Sequence, residues 1–267
     1  MSIQQNKIKA IIQKIWSLLP NPQPMSGDDI VDKIDDVYEA GKQEQNDLIW
    51  DNLTLSARSY FGGCYAEWTP EIFYPTKDIV LKGNCDYAFY NFGKNSEPFD
   101  LAARLKECGV TLDISGATRT GNMFAWSNFS RLPALSLTGF TATHANYSAT
   151  MFSTCQNLIS IEKIIVTNLI QYYNMFAGCK NLQDIKFEGA IAYSIDFKDC
   201  KKLTAESVTS IINTLSSDVT GQTVTFSKAA LKSAFGVEIT SDSDIPADND
   251  FYDLRWSKPN WTFGYSN

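Results

Sequence analysis

The sequence is short of the residues that most enzymatic and metal chemistry needs. One histidine, His144, occurs in 267 residues, so any Ser-His-Asp or Cys-His mechanism would have to pass through it. It lies in the polar stretch "TATHANYSAT", with no G-x-S-x-G elbow or protease-type cysteine context elsewhere, and reads as a structural loop residue. The six cysteines (Cys64, Cys85, Cys108, Cys155, Cys179 and Cys200) form no C-x-x-C pair, which with a single histidine argues against zinc. Phosphate-binding glycine loops are missing. No run of lysine or arginine occurs, and the formal net charge of −7 argues against nucleic acid and anionic membranes, which need a basic footprint. No window approaches the roughly 20 apolar residues of a membrane span. Together these absences predict no catalytic residue, no metal, no cofactor and no membrane insertion.

Acidic residues are present, and each group has an ordinary explanation. Asp28–Asp29 and Asp35–Asp36 sit at and near the start of a predicted helix, where carboxylates favour the dipole and the solvent face. The insert "SDSDIPADND" mimics the alternation of calcium ligands but lacks the glycine and distal glutamate of an EF loop. Four Asn-x-Ser/Thr sequons, at Asn52, Asn128, Asn146 and Asn260, are expected by chance in a chain rich in Asn, Ser and Thr.

The informative feature is repetition. "MFSTCQNLISI" begins at Met151 and "MFAGCKNLQDI" at Met175, a step of 24 residues. Aligned on phenylalanine, Phe152 is followed by Cys155, Leu158 and Ile161, and Phe176 by Cys179, Leu182 and Ile185. A third register places Phe197, Cys200 and Leu203 in the same order. Weaker copies lie upstream: "MFAWSNFSRLPAL" carries Ser127 at the cysteine position, and "CDYAFYNFG" is a degenerate first copy. Periods of roughly 20–29 residues belong to leucine-rich solenoids, in which equivalent residues of successive coils stack in columns. The three cysteines are then expected as buried thiols at a bend, behaving as small apolar residues.

The F-x-x-C-x-x-L-x-x-I pattern resembles BspA-type leucine-rich repeats. The flanks, "VYEAGKQEQNDLIWDNL", "EWTPEIFYPTKDIV", "LAARLKECGVTLDIS" and "LTAESVTSIINTL", resemble a family of leucine-rich repeat proteins of phages and prophages of gut Firmicutes. "KPNWTF" from Lys258 occupies the slot of that family's closing "GWT" segment, and the resemblance spans about residues 30–265. It implies an α+β fold with a leucine-rich repeat solenoid over 53–203, an N-terminal helical segment over 1–52 and a C-terminal helix-and-strand cap over 204–267.

Residues 3–19 carry amphipathic helix spacing and are stopped by Pro20; the stretch is not a secretory signal, and a chain made in the cytoplasm is expected. A second helix over about 29–52 has a partial heptad seam at Ile30, Ile34, Val37 and Leu48. The pair reads either as an attachment or oligomerisation stalk, giving a homo-oligomer through residues 1–52, or as the cap of the repeat body.

One row could carry recognition. Tyr147, Tyr172 and Tyr193 precede the repeat phenylalanines by five, four and four residues, and Trp126 extends the row. Exposed, these rings would form a platform for sugar rings or a partner's apolar patch; otherwise they are partly buried ladder residues with wet hydroxyls. The expected role is a non-enzymatic virion-associated protein, at the tail or as an accessory structural component, presenting its surface to virion proteins, the host surface or a surface glycan. The alternative is a bacterial cell-surface adhesin of the BspA type.

Overall fold

The computed structural model describes residues 70, 73–141, 148–167 and 170–267. All belong to the compact unit Trp50–Asn267. The helical segment expected over 1–52, together with Cys64, His144 and Tyr147, lies outside the described residues.

The repeated motifs form stacked turns. Four segments, 87–91, 122–126, 150–154 and 174–178, each begin and end on a residue with positive φ: Tyr87 and Asn91, Asn122 and Trp126, Thr150 and Thr154, Asn174 and Gly178. Alternate N–H groups bond three residues back within one level, as Ala125 does to Asn122 and Ala177 to Asn174. The others donate to carbonyls of the next level: Phe89 to Met123, Phe124 to Met151 and Phe152 to Met175, at 2.7–3.0 Å. Every backbone N–H of the turns 87–91 and 122–126 thus has a partner, as a buried segment requires.

Side chains between the left-handed residues point inward and pile up. The rings of Phe89, Phe124, Phe152, Phe176, Phe197 and Phe226 form one column, with successive centroids 4.9–6.0 Å apart and planes within 22° of parallel. Met123, Met151 and Met175 are fully buried beside it. Leu158, Ile161, Leu182, Ile185 and Leu203 complete the same core.

Among the described residues ten strands run around this column, all paired in parallel. Strands β1 (Ile79–Asn84) and β3 (Leu112–Arg119) form a two-stranded sheet. Strands β2 (Phe99–Asp100), β4 (Phe129–Leu132), β5 (Leu135–Ser136) and β6 (Ser160–Val166) form the second sheet, with β7 (Asp184–Gly189) also on β6. Strands β8 (Ile195–Phe197), β9 (Gln222–Ser227) and β10 (Trp261–Ser266) form the third. Helices are α1 (Leu101–Cys108), α2 (Ala205–Thr214), α3 (Lys228–Phe235) and α4 (Asp250–Trp256).

The expected solenoid over 53–203 is corrected by this arrangement. The fold is α+β, with separate parallel sheets that include a half-barrel, and no BspA-like leucine-rich repeat solenoid is found. Two physical reasons are visible. The repeated residues spend half their N–H groups inside their own turn, so no sheet runs through them. Helix α2 also lies along β7 and ends the second sheet there. Ser207 Oγ accepts from the Ile185 N–H at 2.9 Å, and Ser210 Oγ accepts from the Phe187 N–H at 3.0 Å. Two hydroxyls on a helix thereby satisfy an edge that another strand would otherwise pair. Thr204 caps α2, and Val208, Ile211 and Ile212 bury its apolar face.

The 204–267 segment does more than cover an end. It supplies β9 and β10, parallel to β8, and adds the Phe226 ring to the column.

Candidate functional site

The cysteines sit where their chemistry is quenched. Cys155, Cys179 and Cys200 are buried, unbridged thiols. Each donates to the carbonyl of the phenylalanine one level earlier: Cys155 to Phe124 at 2.9 Å, Cys179 to Phe152 at 3.0 Å and Cys200 to Phe176 at 3.9 Å. Ser127 holds the equivalent place above them, its Oγ 3.6 Å from the Cys155 sulfur. Burial pushes the Cys155 thiol up to about 12, against hydrogen bonding at Ser127, and burial also raises Cys179 and Cys200. Protonated, enclosed thiols are poor nucleophiles and poor ligands. Among the described residues no group of three or more His, Cys, Asp or Glu side chains could hold a metal ion.

The neighbouring asparagines form a polar counterpart. Asn157 donates to Asn128 Oδ1 at 2.6 Å, Asn128 donates to the Ser96 carbonyl, and Lys202 donates to Asn181 at 2.7 Å. The amides of the sequon residues Asn128 and Asn260 are likewise engaged with backbone carbonyls.

The acidic insert is a structural clasp. Asp244 accepts from the N–H groups of Thr240 and Ser241 at 2.8 Å, and these bonds, led by those from Thr240, hold its carboxyl down to about 2. Asp242 pairs with Arg255 at 2.6 Å and accepts from the Tyr265 hydroxyl. Arg255 itself is buried between rings, with its guanidinium carbon 4.4 Å from the Phe263 centroid and 4.7 Å from that of Trp256.

The tyrosine row does not assemble as an exposed platform. Tyr172 is buried, and burial raises its hydroxyl's pKa. Tyr193 is half-buried against the core, and Tyr147 is outside the described residues. Trp126 is exposed, at 47%. Two rings that the sequence reading passed over join it at the surface: Tyr87 at 37% and Tyr173 at 72%. The missed signal was the left-handed position two residues before each repeat phenylalanine. Tyr87 occupies it directly, and Tyr173 precedes Asn174, which occupies it at the fourth level.

Tyr87 and Trp126 lie on the first and second levels of the stacked turns, and Tyr173 immediately precedes the fourth. Tyr87 packs edge-on against Tyr90, centroids 5.4 Å apart. The Lys94 ammonium lies 5.5 Å from the Trp126 ring centre. Asn122, Thr150, Ser153, Thr154 and Asn174 are partly exposed on the same levels, and Thr150 donates to Asn122 Oδ1 at 2.9 Å.

Among the described residues no helix is long and apolar enough to cross a membrane. Comparison with family models, with curated proteins and with solved structures gives no match to this chain.

Proposed function

We propose that the protein is a non-enzymatic, virion-associated binding protein that presents the outer face of its stacked turns to a host or virion surface. The single observation that carries the binding reading is the exposure of Trp126, Tyr87 and Tyr173 on or beside the levels of the stacked turns, since large exposed rings contribute little to folding and much to recognition. The resemblance of the flanking segments to proteins of phages and prophages supports the virion setting. The enclosed cysteine column supports a role without covalent chemistry.

The test is to purify virions from an induced lysogen carrying the gene and look for the protein by mass spectrometry and by immunogold labelling. Detection at the tail is expected. Absence from virions, with recovery by surface proteolysis of whole bacteria, would replace this reading by the cell-surface adhesin.

A further inference from the structure

We infer that the free edge of β10 is a pairing surface for a second copy of this chain, the two strands running antiparallel about a two-fold axis at Gly264. It uses a different part of the molecule from the exposed rings and does not depend on the virion setting.

Strand β10 ends its sheet, with β9 on one side only. Backbone groups alternate in direction along a strand, so half of them must face away from β9. The Trp261 N–H is one of these, since it donates back to the Lys258 carbonyl at 3.1 Å. On β9 the Thr223 N–H turns to Ser194 Oγ on the β8 side, at 2.9 Å, in keeping with the same alternation. The N–H and C=O groups of Phe263 and Tyr265 therefore point outward. Among the described residues none of these backbone groups has a hydrogen-bond partner.

Other sheet edges of the fold are short or covered. Strands β2 and β5 hold two residues each, and the outer edge of β7 is met by the Ser207 and Ser210 hydroxyls of α2. Strand β10 is six residues long, WTFGYS, and keeps an unbroken register with β9. It has no charge, no proline and no bulge, the features that keep an edge from pairing.

The occupant follows from the strand's own residues. Trp261 and Phe263 are buried and Tyr265 packs against the core, whereas Thr262, Gly264 and Ser266 lie on the other face. A two-fold axis normal to the sheet keeps each face with its like. With Gly264 on the axis, Phe263 stands opposite Tyr265 of the second copy, and Thr262 opposite its Ser266. Phe263 and Tyr265 are the residues with open backbone groups, so each of these pairs exchanges both hydrogen bonds. Aromatic rings oppose aromatic rings and hydroxyls oppose hydroxyls, combinations that stabilise neighbouring strands. Glycine meets glycine in the pairing where the chains approach most closely. A Cβ at that position would already lie 2.9 Å from Thr225 Oγ1. No residue of the strand sets like charges against each other, although each chain carries −7. The strand is thus self-complementary, as an isologous contact requires.

Sedimentation velocity of the full chain across a range of concentrations is expected to show a monomer–dimer equilibrium. Hydrogen exchange should then find the Phe263 and Tyr265 amides more protected at high concentration than at low. Thr262→Lys combined with Ser266→Lys changes two side chains off the core face and opposes like charges twice across the axis, which should weaken the dimer by about tenfold. Thr262→Lys combined with Ser266→Glu opposes unlike charges instead and should restore it. Circular dichroism checks that both variants stay folded. A parent that is monomeric throughout overturns the inference. So does a dimer that both variants leave unchanged, because its contact lies elsewhere, and so does a loss that the Lys–Glu combination fails to reverse.

Discussion

The thiol of Cys179 donates to the carbonyl oxygen of Phe152, 3.0 Å away on the preceding level, and Cys155 repeats the contact with Phe124. A sulfur on one turn thereby ties down a backbone acceptor on the turn before it. Iodoacetamide at pH 8 is expected to label half-buried Cys108 in the native protein and to spare Cys155, Cys179 and Cys200 until denaturant is added. Burial holds these three in the unreactive protonated form. Peptide mapping that finds Cys179 modified as fast as Cys108 would refute the enclosed column.

The ring column should be sensitive in its middle. Phe176 lies between Phe152 at 5.4 Å and Phe197 at 4.9 Å, with no exposure to speak of. Phe176→Ala is expected to destabilise by about 3–5 kcal/mol through lost burial and the cavity left behind. Denaturant unfolding measures this; a loss below about 1 kcal/mol would mean that the neighbouring levels collapse into the gap.

Two glycines separate conformational strain from collision. Gly109 ends α1 at φ 68° with open space where a Cβ would go, so Gly109→Ala should cost only about 1–2 kcal/mol. Gly189 has φ 105°, and a Cβ there would lie 2.0 Å from the Val166 carbonyl oxygen, inside the β6–β7 pairing. Gly189→Ala is expected to cost clearly more than Gly109→Ala in thermal unfolding. Equal losses would contradict the register of β7.

Acid should loosen the C-terminal clasp. The Arg255 hydrogen bond, helped by Tyr265, holds the Asp242 carboxyl below its ordinary value. The stabilisation it gives is therefore present above the unfolded value of about 3.9 and disappears as the pH falls through the lowered folded value. Asp242→Asn leaves the buried Arg255 cation unpaired and is expected to cost about 3–5 kcal/mol at pH 7. The difference between parent and variant should shrink toward pH 3, and a pH-independent difference would show that the pair contributes through packing alone.

Parts of this molecule are legible in the sequence and parts are not. Phe-x-x-Cys-x-x-Leu spacing identifies which side chains share a column, because each inward position admits one size and polarity. It does not identify the backbone between them. Turns and strands can both present a phenylalanine every 20 to 30 residues, and the choice depended on Asn122, Thr150, Asn174 and even Trp126 entering the left-handed region. The split into three sheets was equally hidden, since it depends on the hydroxyl oxygens of Ser207 and Ser210 of α2 accepting from the Ile185 and Phe187 N–H groups of β7. Within the tyrosine row one position of register matters: Tyr172 points into the core and its neighbour Tyr173 points out. The helix Ala205–Thr214, by contrast, carries a legible apolar face in Val208, Ile211 and Ile212, although Thr204 and Ser207 both qualify in the sequence as its start.

Because the N–H groups at the ends and middle of the turns, such as Tyr87, Phe89, Asn91, Phe124 and Trp126, all donate toward the C-terminal side, these peptide dipoles add head to tail, and the stack of turns has polarity like a helix laid out in tiers. Its electropositive pole is the fourth tier, where the Gly178 N–H meets the Asp199 carboxylate at 2.8 Å instead of a further carbonyl. An anionic side chain thus serves as a terminator.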